Sequence, residues 1–132
     1  MPFIDVKYSV PGDRDLRPQI AAFLTDATAR LLKKNPEISA VAIEQVPGAS
    51  WFVGGQSMAE HRRATFWVAV HVTRGTNVKE EKSAYHREVF AGMERILGPL
   101  HSESYVYVVD ADGDSYGYGG LTSDARAGRA AR

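Results

Sequence analysis

The 17 residues Ser39 to Gly55, SAVAIEQVPGASWFVGG, lie without a gap over Ser104 to Gly120, SYVYVVDADGDSYGYGG. Ser39/Ser104, Val41/Val106, Gly48/Gly113, Ser50/Ser115, Gly54/Gly119 and Gly55/Gly120 are identical, and Trp51 matches Tyr116. Each copy reads as a strand, a turn at a glycine and a short aromatic segment closed by a glycine pair. Matching elements with the same order on both sides point to two copies of one unit.

Upstream of each copy the chain repeats strand then helix. Phe3, Ile4, Val6, Tyr8 and Val10 alternate with polar residues, and Pro11-Gly12 ends that strand. Asp13 or Asp15 can cap the helix that follows, Pro18 sits in its first turn, and Leu16, Ile20, Leu24, Ala27 and Leu31 share one face. Lys33-Lys34 at its end suits the negative pole of the helix dipole. In the second half Thr65 to Val72 is a strand ended by Arg74-Gly75-Thr76. Asn77 with Glu80 makes a capping box, and Val78, Tyr85, Val89, Met93 and Ile96 line a helix stopped by Gly98-Pro99.

Two strands joined through a helix run parallel with a right-handed crossover. The expected fold is therefore α+β: two fused β-α-β units forming a four-stranded mixed sheet with two helices on one face. One domain, residues 1–122, holds both repeats (2–55 and 65–120, linker 56–64). Ser123 to Arg132, rich in Ala, Arg and Gly, reads as a disordered tail. The uncovered sheet face favours oligomerisation, with Trp51, Phe52, Tyr116 and Tyr118 on segments able to reach a neighbour.

Lys+Arg and Asp+Glu both number 16, so nothing asks for nucleic acid or an anionic membrane. Without cysteine the chain has no disulfide, thiol nucleophile or thiolate metal site, which is compatible with the cytoplasm. No apolar run approaches a membrane span of ~20 residues. The four histidines, His61, His71, His86 and His101, show no metal spacing, and no cofactor is expected. Asp110, Asp112 and Asp114 around Gly113 lack the later glutamate of a calcium loop, and a strand turn explains them better.

The remaining chemical signal is Met1-Pro2. If Met1 is clipped, Pro2 becomes a free secondary amine at the tip of a strand. An α-amino group titrates near ~8, and partial burial lowers that further, so it can act as base or nucleophile near neutrality.

A fused pair of β-α-β units that begins at Pro2 and carries aromatic-x-Gly-Gly after the second strand resembles the tautomerase superfamily. That superfamily includes 4-oxalocrotonate tautomerase, malonate semialdehyde decarboxylase and the 3-chloroacrylic acid dehalogenases. Pro47-Gly48, Phe52-Val53-Gly54-Gly55 and the strand Phe66 to Val72 ending at Arg74 look most like the cis-3-chloroacrylic acid dehalogenase group. The resemblance implies Pro2 as catalytic base or acid, Arg74 as substrate-carboxylate arginine, Tyr107 as a water-activating tyrosine, and a homotrimer. Where that group has a second arginine this chain has Asn77. Its histidine falls at Thr28 or Ala29, its glutamate near Ser115 with Asp114 the nearest carboxylate, and the arginine that starts the second strand in small tautomerases at Ala40.

The reading is thus a proline-dependent tautomerase acting on a small 2-keto or unsaturated carboxylic acid, with Trp51, Phe52 and Tyr116 as apolar walls. The alternatives are a hydratase, dehalogenase or decarboxylase using Tyr107 or Asp114, and a binding or assembly protein if Met1 is kept. Arg14 and Arg62 or Arg63 are alternative anion clamps. Tyr107 alternates with Tyr105, and one of the two is expected to pack the core.

Overall fold

The computed structural model describes residues 1–12 and 14–130. Four strands form the main sheet in the order β2-β1-β5-β6: β1 Phe3–Ser9, β2 Ala40–Gln45, β5 Thr65–Thr73 and β6 Tyr105–Ala111. Helices α1 (Arg17–Leu31) and α3 (Lys79–Leu97) make the two crossovers. Between and after them lie the hairpin strands β3 (Phe52–Val53) and β4 (Gln56–Ser57), helix α2 (Met58–His61), strands β7 (Gly117–Tyr118) and β8 (Leu121–Thr122), and helix α4 (Ser123–Ala130). Within each unit the strands pair in parallel, β1 with β2 and β5 with β6. The units join through antiparallel β1 and β5, with Asp5 opposite Ala69. The expected mixed sheet with both helices on one face is what forms.

Period-two alternation decides the faces. Ile4, Val6 and Tyr8 of β1, with Phe66, Val68, Val70 and Val72 of β5, turn toward the helices and are at most 1% exposed. Against them pack Ile20, Leu24 and Ala27 of α1 and Tyr85, Val89 and Met93 of α3. The helices touch closely at Gly92, which leaves room for Phe23 of α1. A Cβ on Gly92 would overlap the Phe23 ring. Beside that contact the Thr28 and Tyr85 hydroxyls hydrogen-bond at 2.8 Å, fully buried. Burial pushes the Tyr85 phenol up to about 12.

The repeat runs further than residue identity suggests. Buried helix residues match at a spacing of 65, Ile20 with Tyr85, Leu24 with Val89 and Ala27 with Gly92. Ser57 Oγ accepts from Glu60 N–H (3.3 Å), and Thr122 Oγ1 accepts from Ala125 N–H (3.0 Å). Met58 N–H donates to the Trp51 carbonyl (2.7 Å), as Ser123 N–H does to that of Tyr116 (2.8 Å). Helix α4 is therefore the counterpart of α2.

Ser123–Ala130 is accordingly a helix rather than the disordered tail expected from composition. The Asp124 N–H bond to the Gly113 carbonyl (3.0 Å) and Arg126, which donates to the Tyr118 carbonyl (2.8 Å) and covers its ring, hold it without a large apolar face. Residues 131 and 132 lie outside the described residues. The supposed linker 56–64 likewise carries β4 and α2. Asp15 stands one residue before the N-cap Leu16, yet its carboxylate accepts from the first helical N–H, that of Arg17 (3.1 Å), as well as pairing with the Arg17 guanidinium (2.8 Å); Asp13 lies outside the described residues. In α3 the capping carboxylate is Glu81, which accepts from Val78 N–H (2.9 Å), not Glu80. Tyr105 and Tyr107, two apart, share one face and are both about half exposed, so neither packs the core.

Gly92→Ala should lower stability by about 1–3 kcal/mol through overpacking, read as a drop in urea midpoint. Phe23→Leu in the same chain should return part of that loss, because the two sites touch. Strictly additive changes would show that the helices do not meet here.

Candidate active site

Pro2 is buried at the entry to β1, and its carbonyl accepts from Ala40 N–H at the start of β2 (3.1 Å). Because Phe3 pairs with His71, Pro2 falls beside Val72, and the next strand places Asp110 beside Val72. This end of the sheet thus gathers the N-terminus, the end of β5 and the end of β6. Tyr116, in the segment after β6, reaches back over it. Its hydroxyl hydrogen-bonds to the carbonyls of Met1 (2.7 Å) and His71 (3.2 Å). The Met1 carbonyl carbon is bonded to the Pro2 nitrogen, so Tyr116 Oη lies next to the atom that removal of Met1 would expose.

Lys34 is the cation of this corner. Its ammonium donates to Thr76 Oγ1 (2.8 Å), which in turn donates to the Thr73 carbonyl (2.6 Å). That chain ties the end of α1 to the turn after β5. Burial pulls the Lys34 pKa down, with Glu81 and Asp110 opposing. The α-amino group of Met1 sits below its ordinary 8.0, first because burial disfavours its charge and then because Lys34 repels it. Burial pushes the Tyr116 phenol up, with the Phe3 backbone offsetting in part, so it stays a proton donor.

Arg74 reaches the same end but is engaged. Its Nε donates to Asp112 Oδ1 (2.6 Å) and its Nη2 to the Asp110 carbonyl (3.2 Å), on a mostly exposed surface. Asp110 accepts from Lys82 (2.6 Å) through Oδ2, while its Oδ1 is buried with no partner among the described residues. Asp114 is exposed on the turn and accepts from Ser115 (3.0 Å). The three aspartates therefore turn to three different partners. Asn77, where a second arginine was sought, donates to the Leu32 carbonyl (2.9 Å) and to Glu81 (3.1 Å) and fastens the end of α1.

The other expected site residues lie elsewhere in the chain. Tyr107 pairs with Ala69, three rows from Pro2, and faces away from the helices beside Trp67 and Tyr105. Trp51 and Phe52 follow β2 at the opposite end of the sheet, Phe52 60% exposed. Only a second copy could bring these three to Pro2. Of the apolar set, Tyr116 alone is beside Pro2 within one chain. His61 and His101, on different elements, meet edge to face at 4.8 Å. The described residues hold no group of three or more His, Asp or Glu arranged to bind a metal.

Sequence reasoning missed Lys34 and Asp110. Lys34 read as an ordinary basic helix end, and nothing local says that the helix stops over the N-terminus. Asp110 breaks the apolar run of β6 at a helix-facing position, and that odd placement was the available signal.

Residues 2–61 match the family model for the tautomerase enzymes. The probable tautomerase K2 of Dickeya dadantii (strain 3937) is 31% identical over 64 residues, covering 48% of this chain and 96% of that protein. This chain belongs to the tautomerase superfamily. Among solved structures, Pt0534 inactivated by 2-oxo-3-pentynoate superposes with a TM-score of 0.80 at 17% identity, covering 93% of this chain and 98% of that one. The Q0 fused 4-OT symmetric trimer gives 0.80 at 18%, over 94% and 98%. A macrophage migration inhibitory factor-like protein from Entamoeba histolytica gives 0.71 at 15%, over 92% and 97%. No helix among the described residues is long and apolar enough to cross a membrane.

A nearby cation disfavours the protonated amine, so Lys34→Met should raise the pKa of the chain's α-amine. The pH limb of its acylation rate, followed by mass spectrometry, should then move to higher pH. A limb that stays put or moves down would contradict the assigned role of Lys34.

Proposed function

We propose that, once Met1 is removed, this chain is a tautomerase in which Pro2 moves a proton between carbon and oxygen of a small 2-keto or unsaturated carboxylic acid. The observation that carries the reading is the Tyr116 hydroxyl seated on the atoms that cap the Pro2 nitrogen, in a corner that already lowers the proton affinity of an amine. Superfamily membership supports it, as does inactivation of the similar Pt0534 by a 2-oxo acid.

The chemistry is a one-proton shuttle. The neutral prolyl nitrogen takes the proton from C3 of the keto acid, and the C–H electron pair becomes the C2–C3 double bond. The carbonyl oxygen gains charge, which Tyr116 stabilises as a hydrogen-bond donor. Returning the proton to that oxygen completes the enol and restores the amine. Lys34, whose charge is felt at the N-terminal amine, is the cation offered to the carboxylate. Arg74 can join only by sharing Asp112 or releasing it. A hydrating variant of this chemistry would draw on Asp110, whose free oxygen lies on the Pro2 face, two strands away at roughly 10 Å.

Assembly belongs to the same reading. Phe3, Tyr105 and Tyr107 are 42%, 51% and 53% exposed on the uncovered sheet face. A trimer, as in the Q0 fused 4-OT structure, would cover that face and could bring Trp51 and Phe52 of one copy to Pro2 of another.

A binding or assembly role is the second reading, and the same Tyr116–Met1 bond favours it if Met1 is retained. The nitrogen is then an amide and cannot act as a base. Ketonisation of phenylpyruvate enol, followed by absorbance, tests the proposal. The chain starting at Pro2 should catalyse it, a chain with one residue kept ahead of Pro2 should lose about 10²–10⁴-fold, and Tyr116→Phe should lose about 10²-fold. Equal rates with and without the extra residue would eliminate proline catalysis.

A further inference from the structure

A cavity of about 540 Å³ opens not at Pro2 but at the other end of β1, where β1 and β2 finish. That volume is in the range of small-molecule sites. Val10, Pro11, Val46, Pro47 and Met58 make its walls, and Arg62 and Arg63 stand at its rim. No carboxylate among the described residues lines it, and neither arginine forms an ion pair with one. Among the described residues Arg63 gives one long bond, to the Leu100 carbonyl (3.4 Å).

The position is a built one. Gly48 approaches α2 so closely that a Cβ there would lie 3.0 Å from the Ala59 nitrogen, tighter than most such contacts, so a larger residue would have to push α2 aside. Arg62 ends α2 in the left-handed region (φ 57), donating its N–H to the Met58 carbonyl (3.0 Å). Glycine or asparagine would adopt that backbone more readily.

The internal repeat shows what this end lacks and what it has gained. Matching β1 to β5 and the following elements of the two units places Phe66 at the counterpart of Pro2, Arg74 at that of Val10, Asp112 at that of Pro47 and Ser123 at that of Met58. At the Pro2 end the equivalent space therefore holds the Arg74–Asp112 ion pair. Here it is apolar and open. Phe66 is fully buried and offers no amine, so no acid or base replaces Pro2.

We propose that this cavity is a second, non-catalytic ligand site that binds a small monocarboxylate with a hydrocarbon body. The body lies against the Val10, Val46, Pro47 and Met58 walls. The carboxylate accepts from the Arg62 and Arg63 guanidinium groups, whose planar donor forks match its geometry. The proposal does not depend on Pro2 being catalytic.

Three methionines make the test direct, since Met58 is at the cavity, Met93 in the core and Met1, where retained, at the opposite end. The full chain labelled with ¹³C-methyl methionine is titrated with phenylacetate and separately with its neutral analogue phenylacetamide. The Met58 methyl should shift saturably with phenylacetate while Met93 stays in place. Phenylacetamide should bind at least tenfold more weakly. The double variant Arg62→Gln, Arg63→Gln should weaken phenylacetate at least tenfold, with the Met93 signal reporting an intact core. An unmoved Met58, or equal binding of the acid and the amide to the unmodified chain, would overturn the proposal whether or not the double variant folds.

Discussion

The structure depends on the antiparallel pairing of β1 with β5. Among the described residues it is the only long-strand contact between the two units, and it sets Ile4 opposite Val70, Val6 opposite Val68 and Tyr8 opposite Phe66 in a row of side chains shielded by both helices. A slip of one residue would turn those side chains to the uncovered face, so the register is strongly specified. The same register puts Pro2 beside Val72 and under Tyr116. The chemistry proposed for the amine therefore rests on hydrophobic pairing several residues away, and not on a locally stiff N-terminus.

One pairing also makes two ends that are alike in backbone and different in chemistry. At each end a strand, a turn at glycine, a short hairpin and a following helix close over the sheet. One end holds the chain's only α-amine, with Tyr116, Lys34 and the Arg74–Asp112 pair around it. The other substitutes a buried Phe66 and an apolar wall, and its positive charge comes from Arg62 and Arg63 on a different element. A chain has one N-terminus, so fusing two equal units leaves one of two equivalent places without an amine. That place then keeps its shape without the group that would do proton transfer.

Much of this architecture is legible in the sequence because it is periodic. Alternation in β1 and β5, the helical faces of α1 and α3, and the 17-residue match specify the element order and the sheet. The ends of the sheet are not periodic. Lys34 looks like any basic helix terminus until α1 is laid across β1. Trp51 and Phe52 look like partners of Tyr116 because the repeat aligns them, yet an antiparallel junction sends repeat-related residues to opposite ends. Helix α4 escaped composition because what repeats there is a hydrogen-bond pattern, from Ser123 N–H to the Tyr116 carbonyl and from Ala125 N–H to the Thr122 hydroxyl, while most of the side chains differ from those of α2. Arg74 was legible as a cation at the end of β5, the end where Pro2 lies, but its pairing with Asp112 depends on a β5–β6 register that no local pattern displays.

The central claim, a free and reactive Pro2 amine in this corner, is tested most directly by intact mass of the native protein before and after incubation with 2-oxo-3-pentynoate, followed by peptide mapping. The account predicts a chain that begins at Pro2 and gains a single adduct on the Pro2 nitrogen. A chain that keeps Met1, or one whose adduct maps anywhere else, would contradict it.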